Sequence, residues 1–212
     1  KPSATKFLEE WLALAESGTG ERGIFNRGGL KHQMPERRWK LFEKYWPTAG
    51  TNPCGEIVLR SKQFCNLSEV VARPEDTEAA LLKKMRIAAI IGTYQSTLTN
   101  FPYVSKEWRK NCEEERLLGV SITGQWDCPV VRAPKTLGKL RARSIEVNRE
   151  YSRRFGVNES TCITCVKPSG TVSQLVDAAS GMHTRHSPYY IRRIRISATD
   201  PLFHMLKEQK FS

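Results

Sequence analysis

The segment Thr51-Asn52-Pro53-Cys54-Gly55-Glu56-Ile57 sets an amide, a thiol and a carboxylate at every second position. In an extended chain, residues two apart point to one side, so Asn52, Cys54 and Glu56 would share one small volume. A carboxylate beside a thiol suits acid–base work on a substrate held next to a redox-active sulfur. Pro53 stiffens the segment, and Gly55 leaves room for a bulky group to come close. On residue types alone, a turn carrying a buried structural cysteine fits the same pattern. Cys65 lies eleven positions beyond Cys54. A turn through Arg60-Ser61-Lys62 would bring it back beside Cys54. Disulfide exchange needs Cα atoms within about 7 Å, so that pair depends on the turn.

A second candidate is Val166-Lys167-Pro168-Ser169-Gly170-Thr171-Val172-Ser173, which follows a β-branched run and opens a helix. Free N–H groups at a helix start, a permissive glycine and several hydroxyls make an anion site of Pro168, Ser169, Gly170, Thr171, Val172 and Ser173, and Lys167 adds a charge. It is not a Walker sequence, which ends in Gly-Lys-Ser/Thr. An ordinary capped turn reads the same way. A third candidate joins Cys162 and Cys165 to His183 and His186. Two thiolates and two imidazoles can hold zinc tetrahedrally. Against this, the two cysteines sit in a strand-like run that would face them apart, and the histidines are spaced more tightly than usual. Redox Cys-x-x-Cys motifs usually open a helix, which this one does not.

These residues need elements to hold them. Helical periodicity covers Thr5 to Ser17, with Phe7, Leu8, Trp11, Leu12 and Ala15 on one face and Gly18 and Gly20 ending it. Pro35 opens a second helix carrying Trp39, Phe42 and Trp46, stopped at Pro47. Residues 48–53 are a loop; Ile57, Leu59 and the run Phe64 to Val71 are strand-like. A long helix lies within Pro74 to Asn100, a short apolar strand covers Leu117 to Thr123, and an amphipathic helix covers Pro134 to Phe155, closed by Gly156. Thr161 to Val166 and Tyr189 to Ile196 read as strands, Ser173 to Ala179 as a short helix, and Asp200-Pro201 as the cap of a last helix through Lys207. Strands alternating with helices predict an α/β fold with parallel pairing. No linker is marked, so residues 1–212 read as a single unit.

With 39% hydrophobic residues and a mean hydropathy of −0.49, the chain has no apolar run of the ~18 residues a membrane span needs. Five Trp, eight Phe and six Tyr spread along it argue against wholesale disorder. The 34 Lys and Arg against 22 Asp and Glu leave a net charge of +12, which favours anionic partners such as nucleotides or nucleic acid. A basic nucleic-acid-binding module, zinc-stabilised and using Arg192, Arg193 and Arg195, is the alternative to an enzyme. Six cysteines are too few for a disulfide scaffold, and no secretory signal is visible, so a reducing, cytoplasmic setting is expected. The chain opens with Lys and ends at Phe211-Ser212, and is expected to be a segment of a longer protein.

Three stretches together resemble the large catalytic chain of ribonucleotide reductases. They are Asn52-Pro53-Cys54-Gly55-Glu56, the run Gly119 to Gly124, and Lys167 to Gln174 continuing to Ser180-Gly181-Met182-His183. The Cys54-to-Cys65 step and the wording Cys-Gly-Glu-Ile and Pro-Ser-Gly-Thr-Val-Ser look most like the adenosylcobalamin-dependent, monomeric ribonucleoside-triphosphate reductases. The resemblance implies part of a ten-stranded α/β barrel with a central finger loop, able to shield a radical. It implies that Cys54 is the thiyl-radical site that removes the 3′ hydrogen, Glu56 the general base for the 3′ hydroxyl, and Asn52 the amide on the substrate's hydroxyls. Cys65 would be one of the two thiols that reduce the 2′ position, and Pro168 to Ser173 the loop on the substrate phosphates.

The same resemblance implies adenosylcobalamin as cofactor, a ribonucleoside triphosphate as substrate and a thioredoxin-type reductant acting through C-terminal cysteines. Those shuttle cysteines are missing from this sequence. So are the second reducing cysteine, which belongs upstream of Lys1, and the effector-binding region. Cys112, Cys128, Cys162 and Cys165 are expected to be structural. No turnover is expected from the chain alone; it would work with other fragments of a split enzyme or as part of a larger chain.

Overall fold

The computed structural model describes residues 2–19, 23–191 and 193–210. Its centre is a parallel strand pair, β3 (Asn66–Val71) and β4 (Leu118–Thr123), in register from Asn66 opposite Leu118 to Val71 opposite Thr123. Every residue of β4 is buried, as expected of a strand covered on both faces. Helices α4 (Glu78–Gln95) and α6 (Pro134–Phe155) cover one face. Leu81, Met85 and Ala89 of α4 and Leu140 and Val147 of α6 close with Val70, Val120 and Ile122 into the main core. The Thr77 side chain caps α4 by accepting from the Ala80 amide, and α6 has Pro134 in its first turn and Gly156 in the left-handed conformation at its end.

The run Thr161 to Val166 lies on the far side of β4 but is not a regular strand. It makes one parallel bridge, Thr164 to Val120, with the Leu118 and Val120 amides donating to the Cys162 and Ile163 carbonyls. A buried network holds its start. Asn148 of α6 donates through Nδ2 to Thr93 Oγ1 at 3.0 Å and to Ser160 Oγ at 2.9 Å, and accepts from the Ser160 amide at 3.0 Å.

Ahead of this layer, α1 (Ala4–Ser17) leaves its apolar residues Phe7, Leu8, Trp11 and Leu12 exposed. Helices α2 (Leu30–Gln33) and α3 (Glu36–Phe42) pack Leu30 and Phe42 with Ala49 into a second small core. The helix expected to run to Trp46 ends at Phe42; Trp46-Pro47-Thr48 form a 3-10 turn, since proline cannot continue the ladder. Then come the antiparallel pair β1 (Gly50–Thr51) and β2 (Val58–Leu59). Helix α5 (Lys106–Glu115), which sequence reading did not find, runs into β4, while α7 (Thr171–Leu175) and α8 (Pro201–Glu208) complete the order. The expected strand over 189–196 does not form. Its described residues are irregular, with Tyr189, Ile191 and Ile194 exposed: alternation alone makes no strand without a partner edge. Arg192 of the expected basic patch lies outside the described residues.

Candidate functional site at the hairpin tip

Residues 52–57 form the tip of the β1–β2 hairpin. The Asn52 amide donates to the Ile57 carbonyl at 3.0 Å, the Gly55 amide to the Asn52 carbonyl at 2.9 Å, and the Ile57 amide to Asn52 Oδ1 at 3.0 Å. Gly55 sits at φ +82°, a conformation that strains any residue with a Cβ. The tip is therefore a tight turn and not the extended run expected from the alternate spacing. Asn52 and Glu56 are still brought together, but by the turn. Asn52 serves the backbone first, and its amide also acts on the Glu56 carboxyl.

The Glu56 side chain is 1% exposed, and Lys167 Nζ lies 3.0 Å from its Oε1. Burial opposes its ionisation. The Lys167 ammonium and the Asn52 amide outweigh that and hold the carboxyl below its ordinary value of 4.5. Burial likewise opposes the Lys167 charge, but Glu56 and then Cys54 keep it above the ordinary lysine value. Lys167 thus reaches both chemical side chains of the tip. The sequence reading counted its charge toward the loop that follows; the structure turns it back to the hairpin. Cys54 is exposed.

Cys65 is half-buried just before β3. The chain bends at Ser61 and Lys62, with Lys62 at φ +57°. Burial and then the Glu56 charge raise the Cys65 thiol above its ordinary range, so it lies within electrostatic reach of the tip. Cys165, on the other flank of β4, is pushed up to about 12 by burial first, then by Glu56 and Cys65. What lets these groups converge is Gly119. A Cβ there would sit 2.4 Å from Leu67 Cδ2 and 3.1 Å from both Cys165 Sγ and Ile57 Cδ1. The sequence offered only the glycine as a signal for that approach.

The hairpin's base is clamped by buried charge. Glu115, fully buried at the end of α5, accepts from Arg38 Nε at 2.8 Å, and Arg60 Nε lies 3.1 Å from its other oxygen. Arg38 also donates to the Val58 carbonyl of β2 at 2.6 Å, and Arg60 pairs with Glu114 at 2.8 Å. Thr161 Oγ1 donates to Glu115 Oε1 at 3.2 Å, tying the same cluster to the run that leads to Lys167.

The loop 168–173 begins directly after Lys167. Ser169 is 3% exposed and its Oγ has no hydrogen-bond partner, whereas Gly170, Thr171 and Val172 are exposed. The Ser173 hydroxyl is already committed, donating to the Ser169 carbonyl at 2.5 Å and to that of Gly170 at 3.1 Å. Ser180 also donates to the Ser169 carbonyl. The loop is docked on the end of β4: the Gly181 amide donates to Thr123 Oγ1 at 2.9 Å and the Gly124 amide to the Ala179 carbonyl at 2.8 Å. Asp127 fastens the next turn, accepting from the Ala179 amide and from Arg185. The zinc alternative does not assemble. His183 and His186 are exposed, Cys162 is half-buried, and among the described residues no group of three or more potential ligands could hold a metal ion.

The chain is 33% identical to the adenosylcobalamin-dependent ribonucleoside-triphosphate reductase of Lactobacillus leichmannii, over 74% of this chain and 25% of that protein. It is 30% identical to the protein of the same name from Lactobacillus acidophilus, over 89% of this chain. The chain belongs to the ribonucleotide reductase family. It spans about a quarter of the length of the curated reductases it matches. Among solved structures, a B12-dependent (class II) ribonucleotide reductase superposes with a TM-score of 0.58 at 32% identity, covering 75% of this chain and 26% of that one. The class Id ribonucleotide reductase alpha subunit of Actinobacillus ureae superposes with a TM-score of 0.63 over 96% of this chain and 43% of that one; at 18% identity it speaks for the fold alone. No family model matches the chain. The mixed helix–strand layer is thus that of ribonucleotide reductase structures. No helix among the described residues is long and apolar enough to cross a membrane.

Proposed function

We propose that this chain is the finger-loop and phosphate-loop portion of an adenosylcobalamin-dependent ribonucleoside-triphosphate reductase, a single unit within a ten-stranded α/β barrel. The observation that carries the reading is the convergence of Asn52, Cys54, Glu56 and Lys167 at one hairpin tip, next to Cys65 and the loop 168–173. Cys54 is the exposed thiol that abstracts the 3′ hydrogen of the ribose as a thiyl radical. Glu56, buried and kept ionised, takes the 3′-hydroxyl proton. Asn52 orients the sugar hydroxyls with the part of its amide that the turn leaves available. Cys65 supplies one of the two thiols that become a disulfide as the 2′ oxygen leaves as water. Half-buried and kept in its thiol form, Cys65 is held in reserve until that step.

Adenosylcobalamin, when bound, supplies the radical delivered to Cys54. The tip fits a bulky cofactor: a Cβ on Gly55 would meet nothing within 4 Å, so the approach to the exposed thiol is open. The residues 168–173 take the triphosphate through first-turn amides, which have no acceptor within their own helix, and through the unpartnered Ser169 hydroxyl. The second reducing thiol, and the cysteines that pass electrons from a thioredoxin-type reductant, come from portions outside these 212 residues or from other fragments of a split enzyme. The test supplies the chain with the parts of a relative outside the matched region and adds a ribonucleoside triphosphate, adenosylcobalamin and a dithiol. Deoxynucleotide should form, and Cys54→Ser should abolish it. Full activity in Cys54→Ser would refute the mechanism.

A further inference from the structure

The loop 168–173 and the hairpin tip come from distant parts of the chain, and one side chain joins them. Lys167 Nζ lies 3.0 Å from Glu56 Oε1, its side chain is 23% exposed against 1% for that of Glu56, and the neighbouring Cys54 side chain also favours its charged form. Neither Glu56 oxygen has a well-directed hydrogen bond, so the ion pair with Lys167 is the contact this buried carboxylate leans on. The backbone of Lys167 runs straight into Pro168.

We propose that Lys167 is a positioning residue of the tip and not a phosphate ligand: its ammonium holds the Glu56 carboxylate charged and in place beside Cys54, and sets the hairpin at a fixed distance from the loop 168–173. The proposal rests on the reductase reading for what Glu56 does, but the contact itself does not. A lone buried carboxylate takes up a proton to escape the cost of its charge. A protonated Glu56 could not accept a hydroxyl proton, so an ammonium committed at this point keeps the base ready before any substrate arrives. The other titratable groups around the pair are Cys54 on the tip, Cys65 before β3 and Cys165 beside β4. Arg37, Arg38 and Arg141 line the same cavity as Glu56, but the cation paired with its carboxylate is Lys167.

The test is a carbon-13 NMR titration of the chain with labelled glutamate side chains, the Glu56 signal being the one lost in Glu56→Gln. In Lys167→Met the Glu56 midpoint should rise by about one unit or more, and in Lys167→Arg it should stay low. An unmoved midpoint in Lys167→Met overturns the proposal. In the unsubstituted chain, the nitrogen-15 signal of Lys167 Nζ should shift at the Glu56 midpoint; a signal indifferent to that midpoint also overturns it, with no variant needed. Inorganic tripolyphosphate should bind Lys167→Met within about twofold of the parent chain, and a tenfold loss would make Lys167 a phosphate ligand instead. None of these readouts needs turnover. A chain that supports no deoxynucleotide formation yet shows the coupling refutes the reaction and leaves the positioning role standing.

Discussion

Glu115→Gln should be among the most damaging single substitutions in this chain. The Glu115 side chain is 0% exposed and those of Arg38 and Arg60 are 4% and 2% exposed, so the cluster lies out of water. The substitution leaves Arg38 a buried charge with no other acidic partner among the described residues, while Arg60 keeps Glu114. Removing one partner of a buried pair costs about 3–5 kcal/mol, and the surviving Glu114 contact places the expected loss near the lower figure. For a domain of this size each kcal/mol lowers the melting temperature by roughly 2–4 °C, so a drop of about 6–12 °C is expected. Urea and thermal unfolding at pH 7, followed by circular dichroism, measure it. The pH dependence adds a sign. Burial raises the Glu115 pKa, but Arg38, Gln63 and Arg60 together bring it below the ordinary 4.5. A depressed carboxyl contributes stability above its unfolded value and loses it as pH falls through the folded one. The gap between parent and variant should therefore close below about pH 4.5. A loss under about 1 kcal/mol at pH 7, or a gap that widens in acid, would refute the reasoning.

Gly119→Ala should destabilise by about 1–3 kcal/mol, because its methyl meets Leu67 at 2.4 Å, and should disturb Ile57 at the hairpin; unfolding and Cys54 alkylation rates read both effects. Asn148→Leu strands the buried Ser160 amide and should cost about 1–3 kcal/mol in the same unfolding assay. In a native chain at pH 8, a thiol-alkylating reagent followed by peptide mass spectrometry should find Cys54 modified first. Cys165, held near 12 and half-buried, should be among the last. The Glu56–Lys167 pair should contribute stability between two limits: it is lost as pH falls through the Glu56 midpoint below 4.5, and as pH rises through the Lys167 midpoint above 10.5. Comparing Glu56→Gln with the parent across pH checks this.

How much could be read from the chain differs by element. Helix α6 and strand β4 were legible because a helical stripe and a short apolar run each match their burial. Helix α5 was not: it is short and strongly polar, buries Asn111 and Glu115 beside Cys112, and has only Trp108 and Cys112 as apolar side chains to mark its inner face. The run 161–166 has strand composition, yet its place is set by Asn148 and by Arg37, which donates to the Thr161 carbonyl. At the site, residue types singled out Asn52, Cys54, Glu56 and Cys65, but the strand alternation expected over Asn52, Cys54 and Glu56 is replaced by a turn. The Lys167–Glu56 contact had no local signal, since it joins residues far apart in sequence through tertiary packing.

Of all these measurements, deoxynucleotide formation by the completed enzyme bears most directly on the hairpin tip. With the remaining portions supplied from a relative, the parent chain should convert ribonucleoside triphosphate in the presence of adenosylcobalamin and a dithiol. Cys54→Ser and Glu56→Gln should fail while keeping the parent's fold by circular dichroism. A folded assembly in which either variant matches the parent's rate would contradict the role assigned to that tip.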